Sequence, residues 1–117
     1  TFIKGEKIDM KVLRSDEVNS KANGTYYIDW TTTSYFSLIN SFGLPTYGKS
    51  ADNKVLCEWV LESDNGSIAT IYDYKSDTND PEFVTRWHLG GNEHSYDFIQ
   101  KVKEKIRKSV DAHNLVC

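Results

Sequence analysis

The side chains with most chemical potential fall in the middle of the chain. Glu58, Asp73, Lys75, Arg86 and His88 are two acids, two cations and an imidazole within 31 residues. If Val55–Ser63 and Ser67–Lys75 form a hairpin with a two-residue Asn65-Gly66 loop, Glu58 faces Asp73. Like charges directly opposite one another on a sheet are unfavourable, so a compensating cation or ligand is expected there. Arg86 and His88 share one face of the next strand, opposite Trp87 and Leu89, and would complete a polar cluster. Such a cluster suits a polar ligand. The plainer reading is a salt-bridge network on a wet sheet face. A metal site is disfavoured, because only one His is nearby and no ligand pair has helical spacing.

Other features carry less. Gly90-Gly91-Asn92 precedes a helix, and a helix N-terminus with glycines can hold an anion. The phosphate-loop and dinucleotide patterns are absent, however, and Glu93 would repel an anion, so a plain strand-to-helix turn is favoured. Lys101, Lys103, Lys105, Arg107 and Lys108 make the last helix basic. Cations there also complement the helix dipole, so nucleic-acid binding by this helix is only an alternative. Cys57 lies in an apolar strand and reads as a buried free thiol, and Cys117 ends the chain. No Ser has a nucleophile-elbow context. Nothing implies a cofactor, and the balance is against an enzyme.

The elements that position these residues can be read from periodicity. Ile8, Met10 and Val12 alternate as a short strand, and Ser15 to Gly24 is polar loop. Thr25–Trp30 is aromatic and β-branched, hence a strand. Tyr35, Leu38, Ile39 and Phe42 form one helical stripe, capped by Thr33 or Ser34 and stopped by Gly43 before Pro45. The hairpin follows; Asn-Gly is the favoured pair for a type I′ turn. With a two-residue loop, Cys57, Trp59 and Leu61 share a core face with Tyr74, Tyr72 and Thr70. Phe83–Leu89 is a further strand, which Gly90-Gly91 breaks. A final helix from Ser95 buries Phe98, Ile99, Val102, Ile106 and Val110. The order β, β, α, β, β, β, α predicts an α+β fold, an antiparallel sheet with two helices packed on one face.

Bulk properties agree with one domain over residues 1–117, and a chain of 117 residues can bury a core without a staple. Aromatics reach 13 %, enough for both a core and a binding surface. The net charge of −3 argues against a general nucleic-acid binder. That charge is uneven: residues 101–117 hold five Lys/Arg against two acids, on an acidic body. No apolar run is long enough to span a membrane, and no signal peptide is seen, so a cytoplasmic location is expected. Asn23-Gly24-Thr25 and Asn65-Gly66-Ser67 match the glycosylation sequon but read as turns.

Phe42-Gly43-Leu44-Pro45, Glu58-Trp59-Val60, the run Gly66–Lys75 and Trp87-His88-Leu89-Gly90-Gly91 occur in an order that resembles a group of small uncharacterised proteins of bacteriophages and other large DNA viruses. The likeness covers roughly residues 30–105 and implies no known activity. It implies a viral accessory or counter-defence factor in the cytoplasm of an infected cell. The leading expectation is therefore a non-enzymatic binding protein that takes a host protein or a small anionic ligand such as a nucleotide. Its candidate ligand-binding residues are Asp73, Tyr74, Lys75, Arg86, Trp87 and His88. Cations would meet phosphate, and rings would meet a base. The alternatives are nucleic-acid binding by the basic helix, and a small hydrolase built on Glu58, Asp73 and His88. A homodimer through an uncovered hairpin face with Leu56, Val60 and Ile71 is a further possibility.

Overall fold

In the computed structural model, the described residues are 10–116, with side chains described through residue 109. The expected β1 residue Ile8 and the helical position Val110 therefore lie outside the described side chains. The elements are β1 (Met10–Val12), α1 (Ser15–Val18), β2 (Tyr26–Thr32), α2 (Tyr35–Phe42), β3 (Glu58–Ser63), β4 (Ile68–Tyr72), β5 (Arg86–Gly91) and α3 (Tyr96–Val116). A 3₁₀ turn at Pro81–Phe83 precedes β5. The strands form one five-stranded antiparallel sheet in the order β1-β3-β4-β5-β2. The α+β class follows directly.

One face of the sheet carries the main core. Trp59, Leu61, Ala69, Ile71, Trp87 and Leu89 pack there with Leu38 of α2 and Phe98, Ile99, Val102 and Ile106 of α3. The rings of Trp59 and Trp87 meet edge to face, 5.7 Å apart. Each indole N–H also finds an acceptor beside α2, which a buried indole needs. Trp87 donates to the Thr33 carbonyl before the helix (3.2 Å), and Trp59 to the Gly43 carbonyl after it (3.0 Å). The two tryptophans thus fix both ends of α2. Ser34 caps the helix by accepting from the Ser37 N–H (3.0 Å).

The expected polar loop at 15–24 contains a short helix, α1. Its Val18 joins Leu13, Val60 and Ile68 in a second, smaller core on the opposite face. Helices therefore lie on both sides of the sheet, and among the described residues the second core covers the outer side near β1, β3 and β4. The covered residues include Val60, so the face proposed for dimerisation is partly occupied by the chain itself. Leu56 is buried, and Ile71 belongs to the main core.

The hairpin turns at Asn65-Gly66, but its register differs from the expected one. Glu58 pairs with Tyr72, Trp59 with Ile71 and Leu61 with Ala69. The loop has three residues, Asp64, Asn65 and Gly66, closed by Ser63 N–H to the Ser67 carbonyl (2.9 Å). Gly66 has φ 89°, while Asn65 is not among the positive-φ residues, so the type I′ turn is not formed. A three-residue loop with its left-handed residue at glycine is the next commonest solution. One added loop residue swaps the faces of the whole β4 strand relative to β3. Tyr72 and Thr70 thereby move to the outer face, and Ile71 enters the core.

Gly90 and Gly91 do not break β5; they end it while still paired. A Cβ on Gly90 would stand 2.5 Å from Thr70 Oγ1, and one on Gly91 would stand 2.6 Å from Ser95 Cβ. The glycines are close-packing residues.

Candidate functional site

The register creates a row of side chains across the outer face. Antiparallel partners share a face, and neighbouring strands are about 4.8 Å apart. Tyr47 bridges to Glu58, Glu58 pairs with Tyr72, Tyr72 with His88, and His88 with Trp30. Flanking residues thicken this row. The ring centroids of Tyr27, Tyr72 and Tyr74 lie 5.1, 5.3 and 6.1 Å from that of His88. Arg86 stacks its guanidinium over Trp30, 4.2 Å from the centroid. Lys75 Nζ sits 5.3 Å from the centroid of Tyr74.

At one end of this row the loop after β4 and the start of β5 enclose an open cleft of about 310 Å³. Tyr74, Lys75, Arg86 and His88 line it, together with Ser76, Asp77, Thr78 and the exposed ring of Phe83. Four of the six residues expected to bind a ligand therefore meet at one surface. Lys75 occupies the left-handed region (φ 51°), and its N–H donates to the Lys54 carbonyl (2.8 Å), which holds the loop entry in place.

The other two expected residues lie elsewhere. Asp73 is fully buried on the core side. Its Oδ1 accepts from the backbone N–H groups of Leu56 (2.8 Å) and Cys57 (3.2 Å), and its Oδ2 from the Ser76 hydroxyl (2.9 Å). It ties the open end of the hairpin and presents no free oxygen to a ligand. Trp87 is fully buried against Trp59 and cannot stack on anything outside. The expected Glu58–Asp73 repulsion does not occur, because the shifted register puts the two on opposite faces.

Burial sets the electrostatics of the row. Desolvation raises the Glu58 carboxyl pKa, and no hydrogen bond to its side chain offsets this among the described residues. Desolvation, helped by nearby Arg86, lowers the His88 pKa, against a smaller opposing pull from Asp73. Tyr72 between them is raised, first by burial and then by Glu58. At neutral pH His88 is thus a neutral imidazole among rings, and the fixed cations are Lys75 and Arg86.

The remaining sequence features have structural partners. Ser95, fully buried before α3, donates to the Ile68 carbonyl (2.6 Å) and accepts from the Asn92 N–H (3.1 Å). The turn after Gly91 is thus filled by the chain's own groups. On the basic helix, Lys103 pairs with Asp29 (2.8 Å), Arg107 with Glu104, and Lys105 lies over the Phe42 ring. Burial, then Asp73, pushes the Cys57 thiol up to about 12, so it is an inert core residue. Among the described residues no cluster of His, Cys, Asp and Glu could hold a metal, and no helix is long and apolar enough to cross a membrane.

Sequence reasoning missed Tyr27, Trp30, Tyr47 and Phe83. A usable signal was present for Trp30, since the alternation in β2 places it with Arg86 and His88 once the strands are paired. No protein-family model, curated protein or solved structure matches the chain.

Proposed function

We propose that this protein is a non-enzymatic binding protein that takes a small anionic ligand with a planar ring, of the nucleotide class. One observation carries the reading: Tyr74, Lys75, Arg86 and His88 line a single cleft with Phe83 at its edge. Lys75 and Arg86 supply charge-assisted hydrogen bonds to phosphate oxygens. Tyr74, Phe83 and neutral His88 supply flat surfaces for a base. A cytoplasmic role as a viral accessory or counter-defence factor rests on the sequence resemblance alone, and a host-protein partner is the competing occupant of the same surface.

Isothermal titration with a panel of nucleoside mono-, di- and triphosphates tests this. A bound nucleotide should raise the melting temperature by several degrees when its concentration greatly exceeds its Kd. Arg86→Ala should weaken binding about ten-fold or more, the effect of removing one charge-assisted contact. No heat and no thermal shift with any of the panel would reject the small-ligand reading.

A second reading, hydrolysis, draws on the same face. Glu58 is raised and His88 lowered in pKa, with Tyr72 between them, so a carboxyl that holds its proton more tightly and a neutral imidazole share one face as candidate acid and base. Asp73 takes no part, since it lies on the other face. Turnover that survives Glu58→Gln would remove this reading.

A further inference from the structure

The aromatic row runs well beyond the cleft. Tyr27, Trp30, Tyr47 and Tyr72 do not line it, yet they continue its surface across β5, β2, β4 and β3. A mononucleotide would occupy only the cleft end. Tyr27 and Trp30 are 47 % and 42 % exposed, on a strand whose inward-facing Asp29 is paired to α3. Arg86 packs over Trp30, and its planar guanidinium extends the stacking surface, while Tyr27 meets His88 edge to face. A cation accompanies the ring at either side: Arg86 on Trp30, and Lys75 on Tyr74. Against them the cleft offers one acid, Asp77. Glu58 is half-buried and its burial disfavours the charged form.

We infer that the ligand of this face is a single-stranded oligonucleotide, with one nucleotide in the cleft and its neighbours stacked along the row. This rests on the nucleotide-binding reading of the cleft and extends it. Bases stack on aromatic and guanidinium planes whatever their sequence, so length rather than sequence governs affinity. A duplex hides its base faces and cannot use such a row. The chain's overall charge of −3 is no obstacle to a site whose electrostatics come from two cations and whose affinity comes from stacking.

The protein carries its own reporter. Of its three tryptophans, Trp59 and Trp87 are fully buried and Trp30 is exposed on the row. Tryptophan emission should be titrated with thymidine monophosphate, a thymidine tetranucleotide and an abasic tetranucleotide of the same phosphate number. The tetranucleotide is expected to quench Trp30 and to bind at least about ten-fold more tightly than the monophosphate. Its log affinity should fall with log salt at a slope of about −1.4, the value for two neutralised phosphates on a single strand. Tyr27→Leu keeps an apolar side chain and should weaken tetranucleotide binding several-fold more than monophosphate binding, both read by calorimetry.

Equal affinity for monophosphate and tetranucleotide overturns the oligonucleotide inference and leaves the mononucleotide reading standing. An abasic tetranucleotide that binds as well as the natural one overturns the stacking role. No response to either nucleotide ligand overturns both readings.

Discussion

Glu58 and Asp73 stand on opposite faces of the sheet. Tyr72 lies across from Glu58, and Asp73, the residue just after β4, is buried on the core side. The two acids therefore have unrelated tasks. Asp73 satisfies backbone donors at the end of the hairpin, and Glu58 sits within an aromatic row with no side-chain hydrogen bond or ion pair among the described residues.

Removing Asp73 should damage the fold and not the ligand surface directly. Asp73→Ala strips the acceptor from the Leu56 and Cys57 N–H groups and from Ser76. Leaving buried donors unsatisfied and opening space in the core should cost about 3–5 kcal/mol. Asp73→Asn keeps one acceptor oxygen and should cost less. Urea denaturation of both variants measures the difference; equal, near-zero losses would show that the carboxylate does not tie the hairpin.

Glu58 and His88 should give stability opposite pH dependences. The folded pKa of Glu58 is raised, so stability from this residue is complete below about pH 4.5 and is lost as pH rises through the folded value. His88 is lowered, so the unfolded chain takes up the proton first, and stability falls as pH drops below about 6.5. Glu58→Gln should therefore raise the melting temperature at pH 7.5 more than at pH 4.5. His88→Gln should flatten the loss between pH 6.5 and 5. Melting curves across this range check both signs.

Much of this arrangement was legible, and the failures have physical causes. Alternation along β5 correctly sets Arg86 and His88 against Trp87 and Leu89, because a strand has a strict two-residue period. The Asn65-Gly66 turn was equally legible. Its loop length was not, since Asn-Gly serves both two-residue and three-residue loops, and one residue decides which of Ile71 and Tyr72 is buried. Ile71 is the better core residue, because Tyr72 has a hydroxyl to satisfy. That comparison could have fixed the register. Four residues of α1 are too few for helical periodicity to show. The cleft depends on how residues 74–85 fold back, and no local pattern encodes that path.

The Gly90-Gly91 pair should tolerate no side chain. Gly90→Ala drives a methyl against Thr70 Oγ1, and Gly91→Ala against Ser95. Overpacking of this kind costs about 1–3 kcal/mol. Thr70→Ala should relieve Gly90→Ala but leave Gly91→Ala unchanged, because only the first methyl meets Thr70. A double-mutant cycle by denaturant titration gives the coupling energy directly; an additive result for Gly90 and Thr70 would mean that the strand shifts to make room.

Cys57 should be silent to thiol reagents until the protein unfolds. It is buried beside Asp73, and its thiol is pushed up to about 12, so almost no thiolate is present at pH 8. The thiolate is the reactive form, and the reagent has no path to it. In a Cys117→Ser background the single remaining thiol can be followed with an aromatic disulfide reagent. Labelling should be at least about a thousand-fold slower in buffer than in denaturing urea, since the reagent must wait for an opening event. Asp73→Asn removes the neighbouring charge, but it also loosens the hairpin end that shields the sulfur. If burial dominates, the variant labels faster in proportion to its lost stability, with no change in the pH dependence. If the Asp73 charge dominates, the labelling curve moves to lower pH instead. Burial is the larger cause of the shift, so the first outcome is expected. Rapid labelling of the native protein would show that β3 opens at Cys57 without global unfolding, and would place the hairpin end among the mobile parts of the site.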